Sequence, residues 1–124
     1  MEQQRAAKIL VVDDELMIRM YAREILEEAG YTVHEAATAE EALQMLAAMA
    51  DVGAVVTDID MPGAMDGLEL ARTIDGSMPE VAIVIMSGQI LPRRDQLPLK
   101  ATFVAKPFLP DVLLLNVAQA LVDD

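Results

Sequence analysis

Two strongly apolar runs in this chain end on carboxylates, and that restricts the fold more than any other feature. Val55-Val56-Thr57 stops at Asp58, with Asp60 two residues on and Pro62 close behind. Ile9-Leu10-Val11-Val12 runs straight into Asp13-Asp14-Glu15. Unbroken runs rich in Val and Ile suit strands buried on both faces, as in parallel sheets covered by helices, and a proline ends further pairing. In open α/β sheets the ligand crevice lies outside the carboxyl ends of the strands. Two strands that both end there in aspartates predict one acidic pocket.

The rest of the chain alternates between the two periodicities. Strand one is predicted over residues 8–13, followed by a helix that begins near Glu15. Its inner face is Ile18, Tyr21, Ala22, Ile25 and Ala29 at helical spacing, and Gly30 closes it as a C′ residue. Strand two, over 31–36, is more polar and reads as an edge, with His34 exposed on it. Thr38 caps a second helix with Glu40 and Glu41 in its first turn. Its inner stripe is Leu43, Leu46, Ala47 and Ala50. Strand three covers 54–58. A loop over 63–67 leads to a third helix with Leu68, Leu70, Ala71 and Ile74 inside and Gly76 at its end. Strand four is 81–86 and strand five is 103–105. A last helix runs from Pro110 to about Val122, with Leu114, Val117, Ala118 and Leu121 inside.

This alternation predicts an α/β fold, a doubly wound five-stranded parallel sheet with helices on both faces. Between strands four and five, Pro92 and Pro98 leave room for barely a turn or two, so a fourth helix there is short, irregular or replaced by loop. Residues 1–7 are expected to be a disordered N-terminus and 8–122 one domain.

Composition excludes several functions. A net charge of −12 does not suit binding the phosphate backbone of nucleic acids, which needs clustered Lys and Arg. No cysteine is present, so there are neither disulfides nor thiolate metal sites. No apolar run approaches the roughly 20 residues of a membrane span, and no signal-like segment follows Met1. A soluble, cytoplasmic protein is expected.

In a parallel sheet Asp13, Asp14, Asp58, Ser87 and Lys106 converge on one edge, with the Asp60 backbone nearby. Three carboxylates so close repel unless a cation sits among them. With no His or Cys in the set, the oxygens favour a hard ion such as Mg²⁺. Lys106 and the Ser87 hydroxyl add groups that neutralise a phosphoryl. Phosphoryl transfer asks for positioning and charge neutralisation, and a carboxylate is an accepted nucleophile. The chemistry indicated is metal-assisted phosphoryl transfer onto Asp58.

The set Asp13-Asp14, Asp58-x-x-Met61-Pro62, Met65-Asp66-Gly67, Ser87 and Lys106-Pro107-Phe108 resembles the receiver domain of two-component response regulators, the CheY-like fold. The resemblance implies a flavodoxin-like strand order 2-1-3-4-5. It implies Asp58 as phosphoacceptor and Asp14 as direct Mg²⁺ ligand. Asp13 would act mainly through water, and the Asp60 carbonyl would be a further ligand. Lys106 would pair with the phosphoryl group, the Lys106-Pro107 bond would be cis, and Ser87 and Phe103 would form a switch pair. The donor would be a phosphohistidine on a sensor histidine kinase or histidine phosphotransfer protein.

The chain also departs from the family pattern: the loop through Gly63-Ala64 is longer, and the stretch from Ser87 to Lys106 is shorter. Asp60 and Gln89 occupy positions that bear on phosphoryl lifetime.

Three other readings fit less well. A haloacid-dehalogenase-like phosphatase would end its first strand on Asp-x-Asp and carry a cap. A flavodoxin-like cofactor binder would have a Gly/Ser/Thr loop where this chain has acids. A degenerate receiver, acting only as a protein-binding module, would lack part of the pocket set. The protein is therefore expected to be a signalling receiver rather than an enzyme. The last helix carries more apolar residues than one buried face requires, and Val112, Leu115 and Val122 mark an expected homodimer or partner contact.

Overall fold

A computed structural model describes residues 7–61, 63, 65–88 and 97–123. Its five strands are β1 (Lys8–Val12), β2 (Thr32–Ala36), β3 (Val52–Asp58), β4 (Ala82–Ser87) and β5 (Thr102–Ala105). They form one sheet in the order β2-β1-β3-β4-β5, and every neighbouring pair is parallel. Four helices lie among the described residues: α1 (Leu16–Glu28), α2 (Ala39–Ala48), α3 (Gly67–Ser77) and α4 (Pro110–Asp123). The fold is the predicted doubly wound α/β sheet.

Alternation along the strands sorts the core into two layers. Leu10, Val12, Val55, Ile83 and Ile85 face α2 and α3. Ile9, Val11, Ala54, Val56, Val84 and Val104 face α1 and α4. The central strands are apolar on both faces up to their polar ends because both faces are covered.

The helix boundaries have local causes. At the end of α1, Tyr31 N–H donates to Leu26 O and Gly30 N–H to Glu27 O, with Gly30 at φ 102°, where a side chain would be strained. Thr38 caps α2 by accepting from Glu41 N–H at 3.1 Å. Asp66 and Glu69 form a reciprocal capping box at the start of α3.

Gly76 does not end α3, contrary to the sequence expectation. The helix continues through it to Ser77 and stops at Met78, which precedes Pro79 and is steered away from helical geometry. An added Cβ at Gly76 would meet nothing within 4 Å. Gly76→Ala should therefore raise unfolding stability by about 0.5–1 kcal/mol in urea denaturation, through helix propensity alone.

Helix faces are rotated from expectation in three places. In α1 the buried residues are Ala22, Ile25 and Leu26, while Tyr21 is 42% exposed. The Tyr21 ring nevertheless stacks on buried Phe108, with centroids 5.5 Å apart. In α2 the buried residues are Ala39, Ala42 and Leu46, and both Ala47 and Ala50 are exposed. In α4 they are Leu113, Val117 and Ala120, with Leu114 and Leu121 partly buried. His34 is half-buried rather than exposed.

The expected irregular fourth helix, with Gln89, falls mostly on 89–96, outside the described residues; 97–101 hold no helix. Residues 1–6 of the expected disordered N-terminus are also outside, and Ala7 O accepts the Thr32 N–H at 3.2 Å.

Candidate functional site

Three carboxylates and one ammonium meet at the carboxyl ends of β1, β3 and β5. Asp13 continues the alternation of Ile9 and Val11, Asp58 that of Ala54 and Val56, and Lys106 that of Val104. All three therefore emerge on the α1/α4 side of the sheet edge. Lys106 Nζ lies 2.9 Å from Asp13 Oδ2 and 3.1 Å from Asp58 Oδ1. Asp13 is fully buried and Asp58 6% exposed, whereas Asp14 is exposed. One oxygen from each of Asp13, Asp14 and Asp58 lies within 4.8 Å of the others. Asp14, Asp58 and Lys106 open onto a cavity of about 380 Å³, also lined by Glu15, Asp60, Ser87 and Gly88.

Neighbouring backbone holds the site in place. Asp13 N–H donates to Ala36 O at 3.1 Å, extending the β1–β2 ladder by one step. Asp13 Oδ1 accepts from Glu15 N–H at 2.9 Å, at the entry to α1. Lys106 N–H donates to Ser87 O at 2.8 Å, which joins the ends of β4 and β5. The Lys106-Pro107 peptide bond is cis. Behind Asp58, Gly67 at the start of α3 sits directly on the Asp58 carbonyl: a Cβ there would lie 1.7 Å from Asp58 O.

The charges are unevenly balanced. Burial pushes the Asp58 carboxyl above its ordinary value of 3.8; the Lys106 hydrogen bond opposes this, and the charges of Asp13 and Asp14 add to it. Burial alone would lower Lys106, but Asp13 and Asp58 outweigh it and hold the ammonium above 10.5. An acid raised in the folded state binds more protons there than in the unfolded chain. Its stabilising contribution is present below 3.8 and is lost as pH rises through the folded value. Without divalent cations, Asp58→Asn should therefore raise stability at neutral pH, and the gain should shrink as pH falls toward 3.8. Urea unfolding at neutral and acid pH tests this. Lower stability of the variant at neutral pH would mean that the Lys106 pairing outweighs burial.

Every sequence-predicted pocket residue lies at this edge. Phe103 is half-buried against the α2/α3 layer, on the same side of the sheet as Ser87. In the β4–β5 register Ile85 faces Phe103 and Ser87 faces Ala105, so Ser87 and Phe103 are diagonal neighbours.

The sequence reading missed Arg19 and Glu35. Arg19 Nη1 donates to Asp13 O at 2.8 Å, and its Nε to Glu35 Oε1 at 3.0 Å. Arg23 Nη1 donates to Glu35 Oε2 at 2.8 Å. The Arg23 hydrogen bond holds the Glu35 carboxyl below its ordinary value against the effect of burial, and Arg19 adds to this. The only signal for this cluster is the Val11–Glu35 register, which a single sequence does not display.

Residues 9–118 match the response regulator receiver domain family. The chain is 35% identical over 112 residues to the chemotaxis protein CheY1 of Helicobacter pylori, covering 86% of this chain and 90% of that one. It is 36% identical over 107 residues to the sensor kinase CckA of Brucella abortus. Its structure is similar to that of a response regulator receiver protein from Sinorhizobium medicae, with TM-score 0.87 and 30% identity over 94% and 95% of the two chains. The chain spans 11% of CckA and 25% of the transcriptional regulatory protein DctD of Rhizobium meliloti, so within those relatives the likeness is to one segment.

Proposed function

The chain belongs to the response regulator receiver domain family, and from that premise we propose that Asp58 is its phosphoacceptor in two-component signalling. The observation that carries this reading is Lys106 Nζ, shared between Asp13 and Asp58 at 2.9 and 3.1 Å, with Asp14 beside them. A nucleophilic carboxylate, a fixed cation and two further acids at one strand edge match the needs of phosphoryl transfer.

The residues present fit a magnesium ion. The cluster offers oxygen ligands only, from three carboxylates of which one is exposed, at an open cavity with room for water. Asp14, Asp13 and the Asp60 carbonyl would hold the ion with Asp58. When bound, it supplies charge neutralisation on the phosphoryl oxygens. The donor is a phosphohistidine of a sensor histidine kinase or phosphotransfer protein. An Asp58 carboxylate oxygen attacks phosphorus as the phosphorus–nitrogen bond breaks, and the donor ring, protonated at its other nitrogen, leaves as neutral imidazole. Lys106 follows the charge from the carboxylate to a phosphoryl oxygen.

Ser87 and Phe103 relay the event to the β5–α4 side, a role supported by their diagonal placement on one sheet face. On α4, Val112, Leu115 and Val122 are 42%, 59% and 66% exposed and form the proposed homodimer or partner contact. No helix among the described residues is long and apolar enough to cross a membrane. We place the protein in the cytoplasm, where its kinase or phosphotransfer partner would reach it.

Incubation with acetyl phosphate and intact mass measurement tests the reaction. One phosphoryl mass should be added with Mg²⁺ and far less without it. Ser87→Ala should still accept phosphate but lose the linked chemical-shift changes along β5 and α4. If those changes persist in Ser87→Ala, the signal takes another route.

A further inference from the structure

We propose that Arg19 is a positioning residue for the cation site, holding the peptide plane that joins Asp13 to Asp14. The proposal rests on the reading that this pocket takes a divalent cation.

Strand β1 ends at Val12, so the Asp13 carbonyl has left the sheet ladder. Arg19 Nη1 donates to that carbonyl at 2.8 Å. The peptide unit is planar, so fixing the direction of the Asp13 C=O also fixes the Asp14 N–H and the starting direction of Asp14. Asp14 needs this help more than its neighbours do. The Asp13 carboxylate is tied to Glu15 N–H and Lys106, and Asp58 to Lys106. The Asp14 side chain is exposed and makes no hydrogen bond or ion pair among the described residues. Its placement depends on its backbone.

Arg19 is itself held. Its side chain is 15% exposed, and its Nε donates to Glu35 Oε1 at 3.0 Å. Glu35 in turn accepts from Arg23 on the next turn of α1. Glu35 directly precedes Ala36, whose carbonyl accepts the Asp13 N–H. The end of β2 therefore grips both sides of Asp13: directly at its N–H, and through Arg19 at its carbonyl. Glu35 is shared between Arg19 and Arg23, and Arg23 also pairs with Glu27, so the two arginines are balanced by two carboxylates and geometry is what Arg19 contributes. A guanidinium fork can serve both acceptors in one plane, which an ammonium cannot.

The experiment is isothermal titration of Mg²⁺ into the unphosphorylated protein and three variants. Arg19→Met and Arg19→Lys should bind Mg²⁺ about tenfold more weakly, the usual scale for losing a group that orients a metal ligand. Arg23→Met also removes a bond to Glu35 but leaves the Asp13 carbonyl held, and should stay within about twofold of wild type while losing stability in urea like Arg19→Met. Wild-type affinity in Arg19→Lys would reduce the role to charge and overturn the proposal. Equal weakening in Arg23→Met would make it a general loss of fold. Unchanged affinity in both Arg19 variants refutes this proposal alone, whereas no Mg²⁺ binding by the wild type refutes it together with the metal reading.

Discussion

Gly67→Ala is expected to cost about 3 kcal/mol of stability, a large part of the roughly 5–15 kcal/mol that keeps a domain of this size folded. An ideal Cβ at this position would lie 1.7 Å from Asp58 O, 2.7 Å from the Asp58 carbonyl carbon and 2.8 Å from Ile59 Cα. All three are backbone atoms, so no rotamer change relieves the overlap. The helix cannot simply lift either, because Gly67 N–H donates to Ile59 O at 3.0 Å and Leu70, Ala71 and Ile74 are buried behind it. Room for the methyl comes only from shifting α3 or the Asp58 backbone, which moves the nucleophile. Urea unfolding beside Gly76→Ala makes the comparison within one helix, with opposite signs expected. A Gly67→Ala midpoint equal to wild type would show that α3 is not seated on Asp58 as described.

Lys106→Met is expected to cost about 2–3 kcal/mol at neutral pH without divalent cations, and most of that loss should be reversible by solution conditions. The ammonium is only 14% exposed and faces an Asp13 side chain that is fully buried and an Asp58 side chain that is 8% exposed. Removing it leaves two buried carboxylates facing each other, and an uncompensated buried charge is far more costly than a lost surface pair. The opening toward Asp14 lets water relieve part of this, so the expected figure sits below that for a sealed pair. Without the Lys106 hydrogen bond, which lowers it, the Asp58 carboxyl is raised further by burial, so the deficit shrinks as pH falls and Asp58 takes up a proton. Magnesium should also restore stability by binding only the folded chain. Thermal melts with and without Mg²⁺, at neutral and mildly acid pH, check both. A deficit unchanged by either condition would mean that Lys106 stabilises through packing of its stem.

These effects separate what the sequence displays from what it hides. The strands are legible because the β1, β3 and β4 cores are apolar on both faces and end on chemically distinctive residues: Asp13, Asp58 and Ser87. The convergence of those residues then follows from parallel topology alone. The helix faces are less legible. Ala39 and Ala42 form most of the buried side of α2, and alanine is compatible with either side of a helix. In α4, Leu113, Leu114 and Leu115 are consecutive, so composition does not say which points inward; packing selects Leu113. Leu26 is buried although Glu27 and Glu28 follow it, because it belongs to the same buried cluster as Val33 of β2. Gly67 appears in a recognisable motif, but its need to be glycine rests on contact with a backbone nine positions earlier. Arg19 and Glu35 lie 16 residues apart on different elements, and only the β1–β2 register brings them to Asp13.

The central claim is that Asp58, among several acids at one strand edge, carries the phosphoryl group. Borohydride reduction of the acetyl phosphate-treated protein converts an aspartyl phosphate to homoserine, and fragmentation of the peptides then locates it. The account predicts homoserine at Asp58, dependent on Mg²⁺, and no homoserine anywhere in Asp58→Asn. Homoserine at Asp13, Asp14 or Asp60 with Asp58 unmodified would contradict it.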